Sequence, residues 1–130
     1  MAIAKQLSVQ VQNQCGAVAS ICSELAKVAV NILALSVPET RGGAPIRLVT
    51  NHTEAAKTVF ERLGLAFKEE EVIAARVSDR PGALGRLTRK LADHEIDIRY
   101  AYGSILKGAG KEALIILAVS DVAAAARLAR

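Results

Sequence analysis

One short phrase occurs twice in this chain of 130 residues, each time between a strand pattern and a helix pattern. The first copy is Asn13, Gln14, Cys15, Gly16, Ala17, Val18; the second is Asp79, Arg80, Pro81, Gly82, Ala83, Leu84. Gly16 and Gly82 lie 66 positions apart, and the apolar spacing around them matches for about twenty residues on either side. A repeat of this kind fixes the architecture before any single residue does, because each copy must build the same supersecondary unit.

The repeat predicts two modules, 1–71 and 72–130. Leu7, Val9 and Val11 alternate with Ser8, Gln10 and Gln12, which is the period of a strand. Val18, Ile21, Cys22, Leu25 and Val28 then follow helical spacing, and Cys22 is expected in the core. A strand over 30–37, a hairpin loop over 38–45 and a strand over 46–50 come next. Asn51 reads as an N-cap with Glu54 in capping-box register, and Gly64 as the stop of that helix. A short strand over 65–70 closes the first module.

The second module repeats the order. It has a strand over 72–78, a helix on Leu84, Leu87, Thr88 and Leu91, a strand over 96–103, a glycine-rich loop over 106–111 and a strand over 113–120. Asp121 caps a final alanine-rich helix. Measured from Asn51 to Asp121 the offset is 70, so the second hairpin reads as about four residues longer.

The expected fold class is therefore α+β: two ferredoxin-like βαββαβ modules in tandem, each an antiparallel sheet with its helices on one face. The second module lacks its last strand. The runs 31–37 and 113–119 are apolar on both faces, which predicts strands buried on both sides and a helix-free face packed against another sheet or subunit. A module of about 65 residues buries only about 60 % of its unfolded surface, so the two are expected to lean on each other or on a second chain.

Composition narrows the function classes. Hydrophobic residues make up 52 % and charged residues 23 %, a folded rather than a disordered composition. No apolar run reaches the ~20 residues that span a bilayer, and the start carries no signal-peptide core, so a soluble cytoplasmic protein without membrane partners is expected. The net charge of +4 is spread over the helices, which speaks against a dedicated nucleic-acid surface. RNA binding on this strand order also needs aromatic residues on the first and third strands of a module, and neither copy has one there.

The turns carry the chemistry. N–H groups at a helix start are unpaired, with the positive end of the helix dipole behind them, so a carboxylate fits there without a cationic side chain. A glycine lets a ligand approach closely, and Asn13 or Asp79 is placed to accept from an ammonium group. The same residues also suit plain capping and turn geometry.

A strand, then 79–84, then leucines at 84, 87 and 91, then Ile96, Asp97, Ile98 resembles an ACT domain, the small ligand-sensing module of amino-acid metabolism. The first copy, with Val30, Asn31 and Ile32, is a looser version that has Cys15 where proline is usual. Over nearly its whole length the chain is similar to the stand-alone tandem ACT proteins. That resemblance implies binding of a free amino acid or similar small acid. Residue by residue it points to Asn13, Gln14, Gly16 and Ala17, and to Asp79, Arg80, Gly82, Ala83 and Leu84. Asn31, Ile32, Asp97 and Ile98 join them at the start of the neighbouring strands. It further implies a homodimer, no catalytic residues, no cofactor, and an output passed to an enzyme or regulator partner. The alternative is a ligand-free protein–protein interaction module.

Other chemistries find little support in the residues. Cys15 lacks a base tied to it by the repeat, since only His52 and His94 are available. Two separated histidines and two cysteines do not converge as a metal set. The stretch 107–111 is not a phosphate loop, because the earlier glycine is missing and Glu112 stands where Ser or Thr is needed. Tyr100 and Tyr102 share a strand face and are expected in interface packing.

Overall fold

The computed structural model describes residues 1–11, 16–39, 43–78, 80–105 and 112–128. Asn13, Gln14, Cys15, Asp79 and the loop expected at 106–111 lie outside the described residues. Six strands and four helices are described: β1 (Ala2–Val9), α1 (Ala17–Lys27), β2 (Ile32–Ser36), β3 (Ile46–Thr50), α2 (Thr53–Arg62), β4 (Phe67–Ser78), α3 (Ala83–Asp93), β5 (Ile98–Ile105), β6 (Glu112–Val119) and α4 (Val122–Arg127). This is the α+β class with antiparallel pairing, as the repeat predicts.

The chain divides into two compact units, Lys5–Glu70 and Met1–Ala4 with Glu71–Arg130. In the first unit the strand order is β2-β3-β1-β4. Leu7 pairs with Leu48 and Val9 with Ile46, so the alternating apolar residues of β1 and β3 share one face. Ile21 and Leu25 of α1 and Ala56, Val59 and Phe60 of α2 cover that face and complete the core. The ring of Phe60 meets that of Phe67 at 5.8 Å between centroids. On the opposite face Gln6 and Ser8 are buried as well, and both side chains donate to the Glu70 carboxylate.

In the second unit β4 is flanked by β6, then β5. Ile73, Ala75 and Val77 of β4 and Leu117 and Val119 of β6 pack under Leu91 of α3 and Ala125 of α4. No strand follows α4 among the described residues. Its place beside β4 is taken by the opening of β1: Met1 packs against this core, and Met1–Ala4 belong to this unit.

Several local expectations are corrected. The strands expected at 65–70 and 72–78 are one twelve-residue strand, β4, because nothing between Phe67 and Ser78 breaks an extended chain. The N-cap of α2 is His52, whose Nδ1 accepts from the Ala55 N–H at 3.1 Å. Asn51 is occupied elsewhere, its Oδ1 accepting from the Asn31 N–H at 2.9 Å. The cap that matches His52 is Asp121, which accepts from the Ala124 N–H, so the offset there is 69, not 70. Cys22 is half-buried, and Ile21 and Leu25 hold the core positions of α1. The apolar run of β6 is interior, with Ile116 and Leu117 fully buried on opposite faces. β2 ends the strand order, and within the single chain Leu33 is 50 % and Leu35 40 % exposed, an apolar face of the kind the sequence assigns to a second sheet or subunit.

The backbone repeats more faithfully than the side chains. Gly16 and Gly82 share φ 89, and Ala29 and Glu95, also 66 apart, share the left-handed conformation at φ 59 and 58. Both β2 and β5 carry a register shift just after their first residue, between Ile32 and Ala34 and between Ile98 and Tyr100.

Candidate functional site

Each glycine turn ends the first strand of its unit and opens a helix of eleven residues. Gly16 and Gly82 are the N-cap residues, both left-handed, and neither makes a side-chain cap. The Gly16 carbonyl accepts from the Ser20 N–H and the Gly82 carbonyl from the Arg86 N–H, both at 2.9 Å. In the second turn the Arg80 N–H donates to the Ser78 carbonyl and the Arg80 carbonyl accepts from the Ala83 N–H at 3.1 Å. The N–H groups of Leu84 and Gly85 are left as the outward donors of α3 among the described residues.

A cavity lies beside each turn, wholly within its unit. In the first unit it measures about 660 Å³ and is lined by Gln10, Val11, Gly16, Ala17, Ser20 and the return segment 63–66. Ala66 closes it, accepting from the Gln10 N–H at 2.9 Å. In the second unit the cavity measures about 1010 Å³. Residues 74–78 of β4, Ala83, Arg86, Leu87 and Lys90 of α3, Glu112 and Leu128 line it, with Met1 and Ala2. It is the larger of the two. The lining positions correspond at the offset of 66: Gln10 with Arg76, Ala17 with Ala83, Ser20 with Arg86.

The residues singled out from the sequence are only partly gathered here. Gly16, Ala17 and Ala83 face the cavities. Gly82 forms the turn itself, and the Arg86 guanidinium lies over it, with Nη1 3.0 Å from where a Cβ on Gly82 would stand. Arg80 is exposed and supplies its backbone; Leu84 is 48 % exposed and lines neither cavity. Within each unit Asn31, Ile32, Asp97 and Ile98 sit at the far end of the helix. Eleven residues of helix put that end about 16 Å from the turn. Their backbones are engaged in matching links: the Asn51 N–H donates to the Asn31 carbonyl and the Ser120 N–H to the Asp97 carbonyl. Ser120 Oγ in turn accepts from the Asp97 N–H. Ile32 and Ile98 pack at the edges of the two cores.

Arg76, Arg86, Lys90 and Glu112 are the lining residues that sequence reasoning missed. Their signal was the i, i+4 spacing of Arg86 and Lys90, which places both on one stripe of α3. Among the described residues no group of three His, Cys, Asp or Glu is placed to hold a metal ion, and no helix is long and apolar enough to cross a membrane.

The family described as ACT domain pair matches residues 1–128. No curated protein sequence matches the chain significantly. Among solved structures, a protein from Bacteroides thetaiotaomicron superposes with a TM-score of 0.87 at 23 % identity, over 97 % of this chain and 85 % of that one. The regulatory subunit of aspartate kinase from Thermus thermophilus superposes with a TM-score of 0.63 at 15 % identity, over 98 % and 94 %. That from Thermus flavus gives 0.65 at 13 %, over 96 % and 88 %. At these identities the likeness is one of fold.

Proposed function

The chain belongs to the ACT domain pair family, and from that membership we propose that it is a non-enzymatic regulatory protein that binds a free amino acid or similar small acid at its glycine turns. The observation that carries this reading is the cavity beside each left-handed turn: Gly16 and Ala17 line the first, and Ser78 and Ala83, on either side of the second turn, line the second. Backbone donors at a helix start suit a carboxylate, and the strand end beside them supplies acceptors for an ammonium group. Asn13, Gln14 and Asp79 are assigned to the same sites by their place in the repeated phrase, and Asn31, Ile32, Asp97 and Ile98 to further ligand contacts.

A ligand acts by binding one arrangement of the protein better than another, and that difference in affinity is the signal. The protein works as a cytoplasmic homodimer and passes the signal to an enzyme or regulator, a role consistent with the aspartate kinase regulatory subunits that share its fold. A thermal-shift series with the twenty amino acids tests the reading. A ligand at 100 times its Kd adds about 2.7 kcal/mol of stability. A rise in Tm with one or a few amino acids is expected; no rise with any of them at millimolar concentration refutes the proposal and leaves a ligand-free interaction module.

A further inference from the structure

Resting on that reading, we propose that the cavity of the second unit selects an acidic amino acid, a dicarboxylate bearing one ammonium group, and that Arg86 and Lys90 are its specificity residues. Among the described residues three cations, Arg76, Arg86 and Lys90, line this cavity with one carboxylate, Glu112. None of the three has an ion-pair partner among the described residues, which is also true of Lys68, Arg80, Arg99 and Arg127 elsewhere on the surface, whereas Lys5, Lys27, Lys57, Arg62 and Arg89 each have one. Three cations without an ion-pair partner among the described residues thus line one cavity.

The backbone adds to it. Arg86 is the fourth residue of α3, a helix with no acidic residue in its first turn. A cation there is unfavourable beside the positive end of the helix dipole unless an anion sits between them. The guanidinium nevertheless lies over the Gly82 turn. In the first unit the corresponding positions are Gln10, Ser20 and Glu24, and Glu24 is itself paired with Lys27 and Arg62. Among the described residues the first cavity has no cation in its lining. The two sites therefore share a frame and differ in charge.

The charge pattern names the ligand class. The α-carboxylate takes the backbone donors or one cation, and the ammonium group takes Glu112 or Asp79. Even with the other carboxylate paired, at least one cation then remains, and a second carboxylate satisfies it where an amide or an alkyl side chain does not.

Calorimetric titration of the full chain at fixed ionic strength, with L-aspartate, L-glutamate, L-asparagine, L-lysine and inorganic phosphate, tests the proposal. The better of the two acidic amino acids is expected to bind at least about tenfold more tightly than asparagine, the scale of one charge-assisted hydrogen bond. The Arg86→Gln/Lys90→Gln double variant is expected to lose that preference, with its fold checked by circular dichroism. Arg89→Gln, on a residue paired with Asp93, is expected to keep it. Equal affinity for asparagine, a preference that survives the double variant, or binding of phosphate without aspartate or glutamate overturns the inference. Binding of neutral amino acids alone leaves the proposed function standing and removes this specificity; binding of no amino acid removes both.

Discussion

Alanine at Gly16 isolates the energetic content of the turn. The residue holds φ 89 and ψ −1, and a Cβ built on it meets no atom of the described residues within 4 Å. Any loss of stability therefore comes from the backbone alone. An L-residue in the left-handed region costs about 1–2 kcal/mol. Alanine also restricts the unfolded chain and returns about 0.4–1 kcal/mol. The net expectation for Gly16→Ala is a loss of about 1 kcal/mol, or about 3–5 °C in Tm for a chain of this size. Gly82 has φ 89 and ψ −11, so the same backbone loss applies to Gly82→Ala. There the new methyl also meets Arg86 Nη1 at 3.0 Å, the far end of a flexible side chain that can swing aside. Urea denaturation of both variants should give losses within about 0.5 kcal/mol of each other, because the displaced group is exposed. An unchanged or raised midpoint for Gly16→Ala refutes the left-handed turn. A loss beyond about 3 kcal/mol for Gly82→Ala refutes the idea that Arg86 moves freely.

Three further outcomes are expected. Asp121→Ala removes the acceptor of the Ala124 N–H at 2.9 Å and should lower stability by about 1 kcal/mol in urea denaturation. Leu91→Ala empties a fully buried position in the second core and should cost about 2–5 kcal/mol, measured the same way. The third concerns pH. The hydrogen bond from Lys57 to Glu69, 2.7 Å long, holds the Glu69 carboxyl below its ordinary 4.5 and the Lys57 ammonium above its ordinary 10.5. The stabilisation from Glu69 is present above pH 4.5 and lost as pH falls through its lowered value; that from Lys57 is lost as pH rises past 10.5. The pair lies at the surface, within reach of solvent, so the effect is modest and weakened by salt. Melting curves between pH 7 and pH 3 should fall more steeply for the natural chain than for Lys57→Met.

The architecture was legible because it rests on periodicity and on glycine. The repeated turn, the strand alternation at Leu7 and Val9 and the helical stripe through Ile21 and Leu25 each state a local preference that packing then uses. What stayed hidden depends on neighbours distant in sequence. Nothing in the opening residues reveals that Met1–Ala4 belong with residues beyond Glu71. The composition of β2 resembles that of β6, yet β2 ends the strand order and β6 lies between two strands. Asn51 has the right chemistry for a cap and loses the role because the Asn31 N–H claims its side chain. Arg86 and Lys90 read as the solvated side of α3, since the wall facing them is assembled from β4, Glu112 and the first two residues of the chain. Their charge was visible in the sequence, but the cavity they line was not.

Ala29 and Glu95 close the two long helices in a left-handed conformation that glycine adopts without strain. In the genetic code both alanine and glutamate are one base change from glycine. Such a change returns up to about 1 kcal/mol at each position, after the added freedom of the unfolded chain is deducted. Two improvements therefore lie one mutational step away, at equivalent places, and neither is present in the sequence. A chain in that position is held to a threshold of stability and not to a maximum, and the same left-handed backbone carries alanine in one copy and glutamate in the other.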